Sequence, residues 1–193
     1  MAVLGSLIVS KCRVKLLQIF LAQPNEIFYI RQLVRATGEE INAVRRELNH
    51  LEKSGIVKKE SRGNRIYYWV DKNCPIYGDL LALICKTVGL GAAVIKNKAK
   101  IGKVRLAMLS GRFARGLPTK EGAVDLLVVG EINLPQLAKI VREQELKIGR
   151  EINYTVMTQQ ELEFRKKRHD PFLTGILTDS RIMLIGDEMD LVD

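Results

Sequence analysis

The chain of 193 residues carries 31 Lys and Arg against 22 Asp and Glu, a formal charge of +9, and 47% of its residues are hydrophobic. That is enough apolar side chain for packed cores and too mixed a charge for a disordered polyelectrolyte, and the length admits one large domain or two small ones. No apolar run approaches the roughly 18 residues that span a bilayer, residues 1–9 lack the pattern of a secretory signal, and Cys12, Cys74 and Cys85 show no CxxC spacing, so the expectation is a cytoplasmic protein with no membrane contact, disulfide framework, metal site or cofactor, its cysteines small core residues.

The positive charge is uneven: residues 1–78 hold 13 basic and 7 acidic side chains, residues 79–105 hold 6 and 1, and residues 106–193 hold 12 and 14. This asymmetry points to two modules, the first facing a polyanion, although a basic solvated surface gives the same tally. Residues 11–21 (KCRVKLLQIFL) place Val14, Leu17 and Leu21 at helical spacing, joined by Leu16 and Phe20, and Pro24-Asn25 breaks the pattern. After Ile27-Phe28-Tyr29, residues 30–36 set Ile30, Leu33 and Val34 on one side of a second helix that Thr37-Gly38 interrupts. Thr37 and Glu40 fit a capping box for a third helix, where Ile41, Val44, Leu48 and Leu51 form the buried stripe before Ser54-Gly55.

The opposite face of that helix carries Asn42, Arg45, Arg46 and Asn49, spaced i, i+3, i+4 and i+7. Arg grips guanine edges or phosphates bidentately and Asn pairs with adenine, so these four are candidate DNA-contacting residues; taken alone, a solvated face is an equal alternative. Residues 56–60 and 65–70 are strand-like around Ser61-Arg62-Gly63-Asn64, a hairpin whose Lys58, Lys59, Arg62 and Arg65 are candidate phosphate or minor-groove contacts. Tyr67, Tyr68 and Trp69 alternate with strand period, which favours packing on the helices over base stacking. Together SKCRVKLLQIFL, FYIRQLVRATG, INAVRRELNHLEKSGIVKK and RGNRIYYWV resemble the ArsR-like winged-helix transcription regulators over about the first 70 residues. The resemblance implies sequence-specific binding of double-stranded DNA as a homodimer on a palindromic site. It does not carry over metal sensing, for which the cysteine motif is missing.

Residues 76–88 (IYGDLLALICKTV) form an apolar helix ended by Gly89 and Gly91, read equally as a dimerisation helix and as an intrachain core helix. Residues 92–103 follow with Lys96, Lys98, Lys100 and Lys103 as a solvated helix face or a supplement to DNA-backbone contacts. Beyond them the pattern is α/β: buried strands at 104–110 and 124–129, a helix at 134–146, a strand at 152–157, a helix at 158–169 opened by a Thr158/Glu161 capping box, and a strand at 181–185. Arg165 to Arg168 reads as a solvated helix face, and His169-Asp170-Pro171 as a helix end followed by a new helix start.

The order strand, Gly111-Arg112-Phe113-Ala114-Arg115-Gly116, strand with Asp125 resembles the minimal nucleotidyltransferases, and the resemblance runs on through REINYTVMT and HDPFLTGIL to RIMLIGDE. In that family a serine follows the glycine, the second strand carries an S-D-x-D pair of metal-binding carboxylates, and a later strand adds a third. Here Arg112 stands at the serine, Gly122-Ala123-Val124-Asp125 keeps one carboxylate of the pair, and Glu151 and Asn153 lie near the third, Asn153 in the inward register. Two catalytic Mg²⁺ ions need more acidic oxygens than that, so the expectation is a pseudoenzyme with a vestigial nucleotide site at Gly111, Arg112, Arg115 and Asp125, and an Arg112–Asp125 ion pair in place of the metal.

The sequence thus predicts an α+β protein with a winged helix-turn-helix over 1–75, a helical connector over 76–103 and an inactive nucleotidyltransferase-like domain over 104–193. It would act as a DNA-binding transcription regulator whose C-terminal domain serves in oligomerisation, in partner binding, or in holding an anionic ligand at Arg112 and Arg115. The alternatives are an active metal-dependent nucleotidyltransferase with a nucleic-acid-targeting domain, using Asp125 and Glu151, and a winged helix that binds protein rather than DNA.

Overall fold

The structure, a computed structural model, describes residues 8–118, 120 and 122–192. Residues 1–7, part of the segment that lacks a signal pattern, lie outside the described residues. The chain divides into two compact units between Thr87 and Val88, within the expected connector.

In the first unit, α1 (Lys11–Ala22) begins where the Ser10 hydroxyl accepts a hydrogen bond from the Arg13 amide at 3.2 Å. It buries Val14, Leu16, Leu17, Phe20 and Leu21. A two-residue strand β1 (Phe28–Tyr29) leads into α2 (Ile30–Thr37), followed by α3 (Ile41–Lys53), β2 (Val57–Arg62), β3 (Arg65–Val70) and α4 (Tyr77–Thr87), which packs on α1. The antiparallel sheet has the order β1-β3-β2, with Tyr29 opposite Tyr67 and Arg62 opposite Arg65. The hairpin turn is therefore Gly63-Asn64 alone, two residues shorter than the sequence predicts, because Ser61 and Arg62 still pair across the ladder.

Leu33, Val44, Leu48, Leu51, Val57, Tyr68 and Val70 complete the core, so Tyr68 does pack inward as strand periodicity requires. The expected Thr37/Glu40 capping box is not formed. Thr37 ends α2, buried, with its hydroxyl donating to the Leu33 carbonyl at 2.7 Å, and Glu40 itself caps α3 by accepting from the amides of Asn42 at 2.7 Å and Ala43 at 3.2 Å.

The second unit opens with α5 (Gly89–Lys96) and the single turn α6 (Lys98–Ile101), then β4 (Gly102–Ser110), α7 (Gly111–Ala114), β5 (Leu126–Ile132), α8 (Leu134–Ile148), β6 (Tyr154–Met157), α9 (Gln159–Lys167), α10 (Pro171–Thr178), β7 (Arg181–Ile185) and α11 (Met189–Val192). The lysine-rich segment 92–103 is therefore not one helix. Gly102 stops it at φ 123°, where a side chain would also collide with the Glu131 carbonyl, and Lys103 already lies in a strand, paired with Glu131 at 2.9 Å.

The sheet order is β6-β5-β4-β7, with β5 and β6 parallel across the α8 crossover and the other pairs antiparallel. Alternating residues bury both faces: Leu106, Met108, Leu127 and Val129 join Leu162, Leu173 and Leu191 in one cluster, while Ala107, Leu109, Leu126 and Val128 are buried on the other side. The protein is thus a mixed α+β fold with two sheets. No single helix among the described residues is long and apolar enough to cross a membrane.

Candidate functional site

In the first unit the apolar stripe of α3 fixes its opposite face, so Asn42, Arg45, Arg46 and Asn49 are all exposed. The helix is held to α1 by a buried carboxylate: Glu47 accepts from Arg13 Nε at 2.8 Å and from the Ser10 hydroxyl at 2.9 Å. Burial pushes the Glu47 pKa up, but the hydrogen bonds from Ser10 and Arg13 and the Arg13 charge outweigh it and hold the carboxyl below its ordinary value.

The hairpin cations are not equivalent. Lys58 pairs with Asp71 at 3.0 Å, Lys59 with Glu52 at 3.3 Å and Arg62 with Glu60 at 2.6 Å, so each is offset by an acid of its own unit. Arg65 instead faces a cleft of about 430 Å³ that it lines together with Arg31, Arg45 and Asn64. Tyr29 forms part of the same wall. Sequence periodicity brings Arg45 to this place but misses Arg31 and Tyr29, because their relation to the hairpin depends on the two-residue strand β1.

In the second unit a cleft of about 240 Å³ lies where β4 ends and β5 begins. Its polar lining is Ser110, Arg112, Lys120, Asp125, Asp179 and Ser180, and Phe172 and Ile176 of α10 form an apolar wall. Gly111 has to be glycine: its amide donates to the Ser180 carbonyl at 2.6 Å, and a Cβ there would lie 2.8 Å from that same oxygen. Asp125 is 1% exposed and accepts from the Asn153 amide at 3.1 Å, while the Ser110 amide donates to its carbonyl at 2.9 Å.

The expected Arg112–Asp125 ion pair is not formed. Arg112 donates from Nη2 to the Pro118 carbonyl at 2.9 Å, and its Nε is buried with no hydrogen-bond partner among the described residues. Arg115 is turned to the Ser180 hydroxyl at 2.9 Å and does not line the cleft, nor does Glu151, which is exposed; the backbone of Asn153, rather than a side chain of that segment, meets Asp125. Ser110, Lys120, Asp179 and Ser180 are polar lining residues that the sequence reading missed, and the place of Asp179 and Ser180 follows only from the pairing of β7 beside β4.

A nucleotidyltransferase site implies magnesium. Among the described residues no group of three or more His, Cys, Asp or Glu side chains converges, and Asp125 and Asp179 are the carboxylates of the cleft. Magnesium is commonly held by one or two carboxylates with water and substrate phosphates filling its remaining positions, so this donor set fits one ion presented with a triphosphate and not a two-ion centre.

No family model matches the chain, and no solved structure matches it. The resemblance to ArsR-like regulators therefore has no counterpart in these comparisons. A protein of Methanocaldococcus jannaschii that bears the name "Putative protein adenylyltransferase" is 30% identical over 89 residues, which are 46% of this chain and 86% of the relative. That relationship corrects the expectation that the chain is not an enzyme, since the relative is named for nucleotidyl transfer even though Ala123 replaces one carboxylate of the motif. The missing acid removes a two-ion centre, which is a narrower conclusion than loss of chemistry. With the relative covered over 86% of its length at this identity, the chain belongs to the nucleotidyltransferase-like family of that archaeal protein.

Proposed function

We propose that the chain is a nucleotidyltransferase whose second unit binds a nucleoside triphosphate in the Asp125 cleft, and whose first unit is a winged helix-turn-helix that docks it on duplex DNA. The observation that carries the proposal is the kinship to a protein named for adenylyl transfer, combined with a cleft that has an acidic floor and cationic walls. Nucleotidyl transfer joins an acceptor oxygen to the α-phosphorus and releases pyrophosphate, so the site must neutralise and orient phosphates. Arg112 and Lys120 supply that positive charge. Phe172 and Ile176 offer the apolar surface that a base would cover. Asp125 and Asp179 would hold one magnesium ion, which when bound would neutralise phosphate charge.

The test is incubation of the full chain with Mg²⁺ and ATP labelled at the α-phosphate. Label should pass to protein, and Asp125→Asn should abolish transfer. A chain that neither transfers label nor binds ATP in calorimetry would overturn the reading.

A second reading, a transcription regulator acting as a homodimer, is favoured by the α3 face, whose Asn42, Arg45, Arg46 and Asn49 are all exposed. Its mark is sequence preference. Selection from a random duplex pool should return paired half-sites, and the Arg45/Arg46 double alanine variant should lose that preference.

A further inference from the structure

We infer that the cleft between α2, α3 and the β2–β3 hairpin is a seat for the phosphodiester backbone of duplex DNA, built by Arg31, Arg45 and Arg65, in which Tyr29 is a positioning residue that holds Arg65 in place. The inference rests on the DNA-docking reading of the first unit and assigns that docking to a set of cations other than the hairpin lysines.

Two observations carry it. First, six cations on and around the hairpin separate into two groups. Lys58, Lys59 and Arg62 each sit within 3.3 Å of a carboxylate, so a phosphate must displace an existing partner to reach them. None of the guanidiniums of Arg31, Arg45 and Arg65 is paired with a carboxylate among the described residues, and all three line one cleft of about 430 Å³ together with Asn64. Three unneutralised guanidiniums facing one concavity make an anion site, and bidentate forks suit the paired oxygens of a phosphodiester.

Second, the cleft is organised before any ligand arrives. The Arg65 guanidinium lies 5.1 Å from the centroid of the Tyr29 ring. That ring stands edge-on to Tyr67, with centroids 6.3 Å apart and an interplanar angle of 72°. The Tyr29 hydroxyl accepts from Arg35 at 3.3 Å, and its amide donates to the Gln32 side chain at 2.9 Å. Tyr29 is thus fixed at the start of α2 and by its pairing with Tyr67 in the sheet, and it passes that rigidity to a long, otherwise free cation on the hairpin.

The experiment is fluorescence-anisotropy titration of the full chain with a mixed-sequence DNA duplex across a range of salt concentrations, with an RNA duplex of the same sequence run alongside. Wild type should bind the DNA with a steep salt dependence. Arg31→Gln and Arg65→Gln, both at exposed positions and so compatible with folding, should each reduce the slope of log K against log salt by about one, whereas Lys58→Gln should leave it unchanged. Tyr29→Leu should weaken binding several-fold and lower the slope, and Tyr29→Phe, which keeps the ring, should restore both; thermal unfolding of the two variants separates this from loss of fold.

Wild-type slopes in both arginine variants would overturn the seat while leaving DNA docking in place. Equal loss in Tyr29→Leu and Tyr29→Phe would remove the positioning role. Absence of duplex binding by the wild type would sink the docking reading and the seat together, and preference for the RNA duplex would overturn the assignment to DNA.

Discussion

Glu47 shows how one side chain ties sequence to stability in this protein. It lies on the buried stripe of α3 between Val44 and Leu48, where sequence periodicity alone would ask for an apolar residue. It is tolerated because Arg13 and Ser10 at the start of α1 satisfy both carboxylate oxygens, converting a buried charge into a clasp between two helices. Because the folded carboxyl titrates below its ordinary value, the unfolded chain binds the proton more readily than the folded one. The stabilisation is therefore complete above the ordinary glutamate range of about pH 4.3 and is lost as pH falls through the lower folded pKa. Glu47→Gln should cost about 1–3 kcal/mol at pH 7. The lower end is favoured because the Arg13 side chain remains 37% exposed and water can take it up. Urea unfolding at a series of pH values checks both parts: the variant should be weaker at neutrality and should lose less stability than wild type between about pH 5 and pH 3.

At the scale of elements, α3 depends on its first turn. Glu40 meets two of its free amides, an uncommon use of glutamate where shorter side chains usually cap. Glu40→Ala should destabilise the first unit by about 1 kcal/mol, and Glu40→Asp should recover most of the loss, as read by thermal or urea unfolding. Thr37, which a capping-box pattern singles out, contributes by another route, since its hydroxyl returns to the Leu33 carbonyl inside α2.

Helices with a strong apolar stripe, α1 to α4 and α8, were legible from spacing, and so was the β2–β3 hairpin. What spacing could not show is pairing at a distance. The strand β1 is two residues long and exists because Phe28 and Tyr29 meet Tyr68 and Tyr67. The lysines from 96 to 103 suggest one solvated helix, yet the backbone turns into β4 at Gly102, where Glu131 packs too closely for any side chain. The candidate sites followed the same division. Asn42, Arg45, Arg46 and Asn49 could be found by helical period, and Asp125 by motif. Arg31, Tyr29, Asp179 and Ser180 reach their sites only through sheet order.

At the scale of the whole molecule, the two proposed activities belong to separate compact units of unequal positive charge. Residues 1–87 hold 14 basic and 8 acidic side chains, against 17 and 14 in residues 88–193. The larger excess of positive charge lies in the proposed DNA-docking unit, whereas the proposed nucleotide cleft relies on the local placement of Arg112 and Lys120. Substitutions in groups with no shared partner add within roughly 0.3–0.5 kcal/mol, about a twofold change in an equilibrium constant. Asp125→Asn should therefore leave duplex affinity within about twofold of wild type while removing label transfer, and Arg45→Ala should weaken duplex binding while leaving ATP affinity within the same margin. Both measurements belong on one protein preparation at one salt concentration, because duplex binding of the proposed kind would be steeply salt-dependent. A tenfold loss of duplex affinity in Asp125→Asn would mean that occupancy of the nucleotide cleft is communicated to the DNA-docking face, and the two units would then have to be treated as one thermodynamic system rather than as two activities on a common chain.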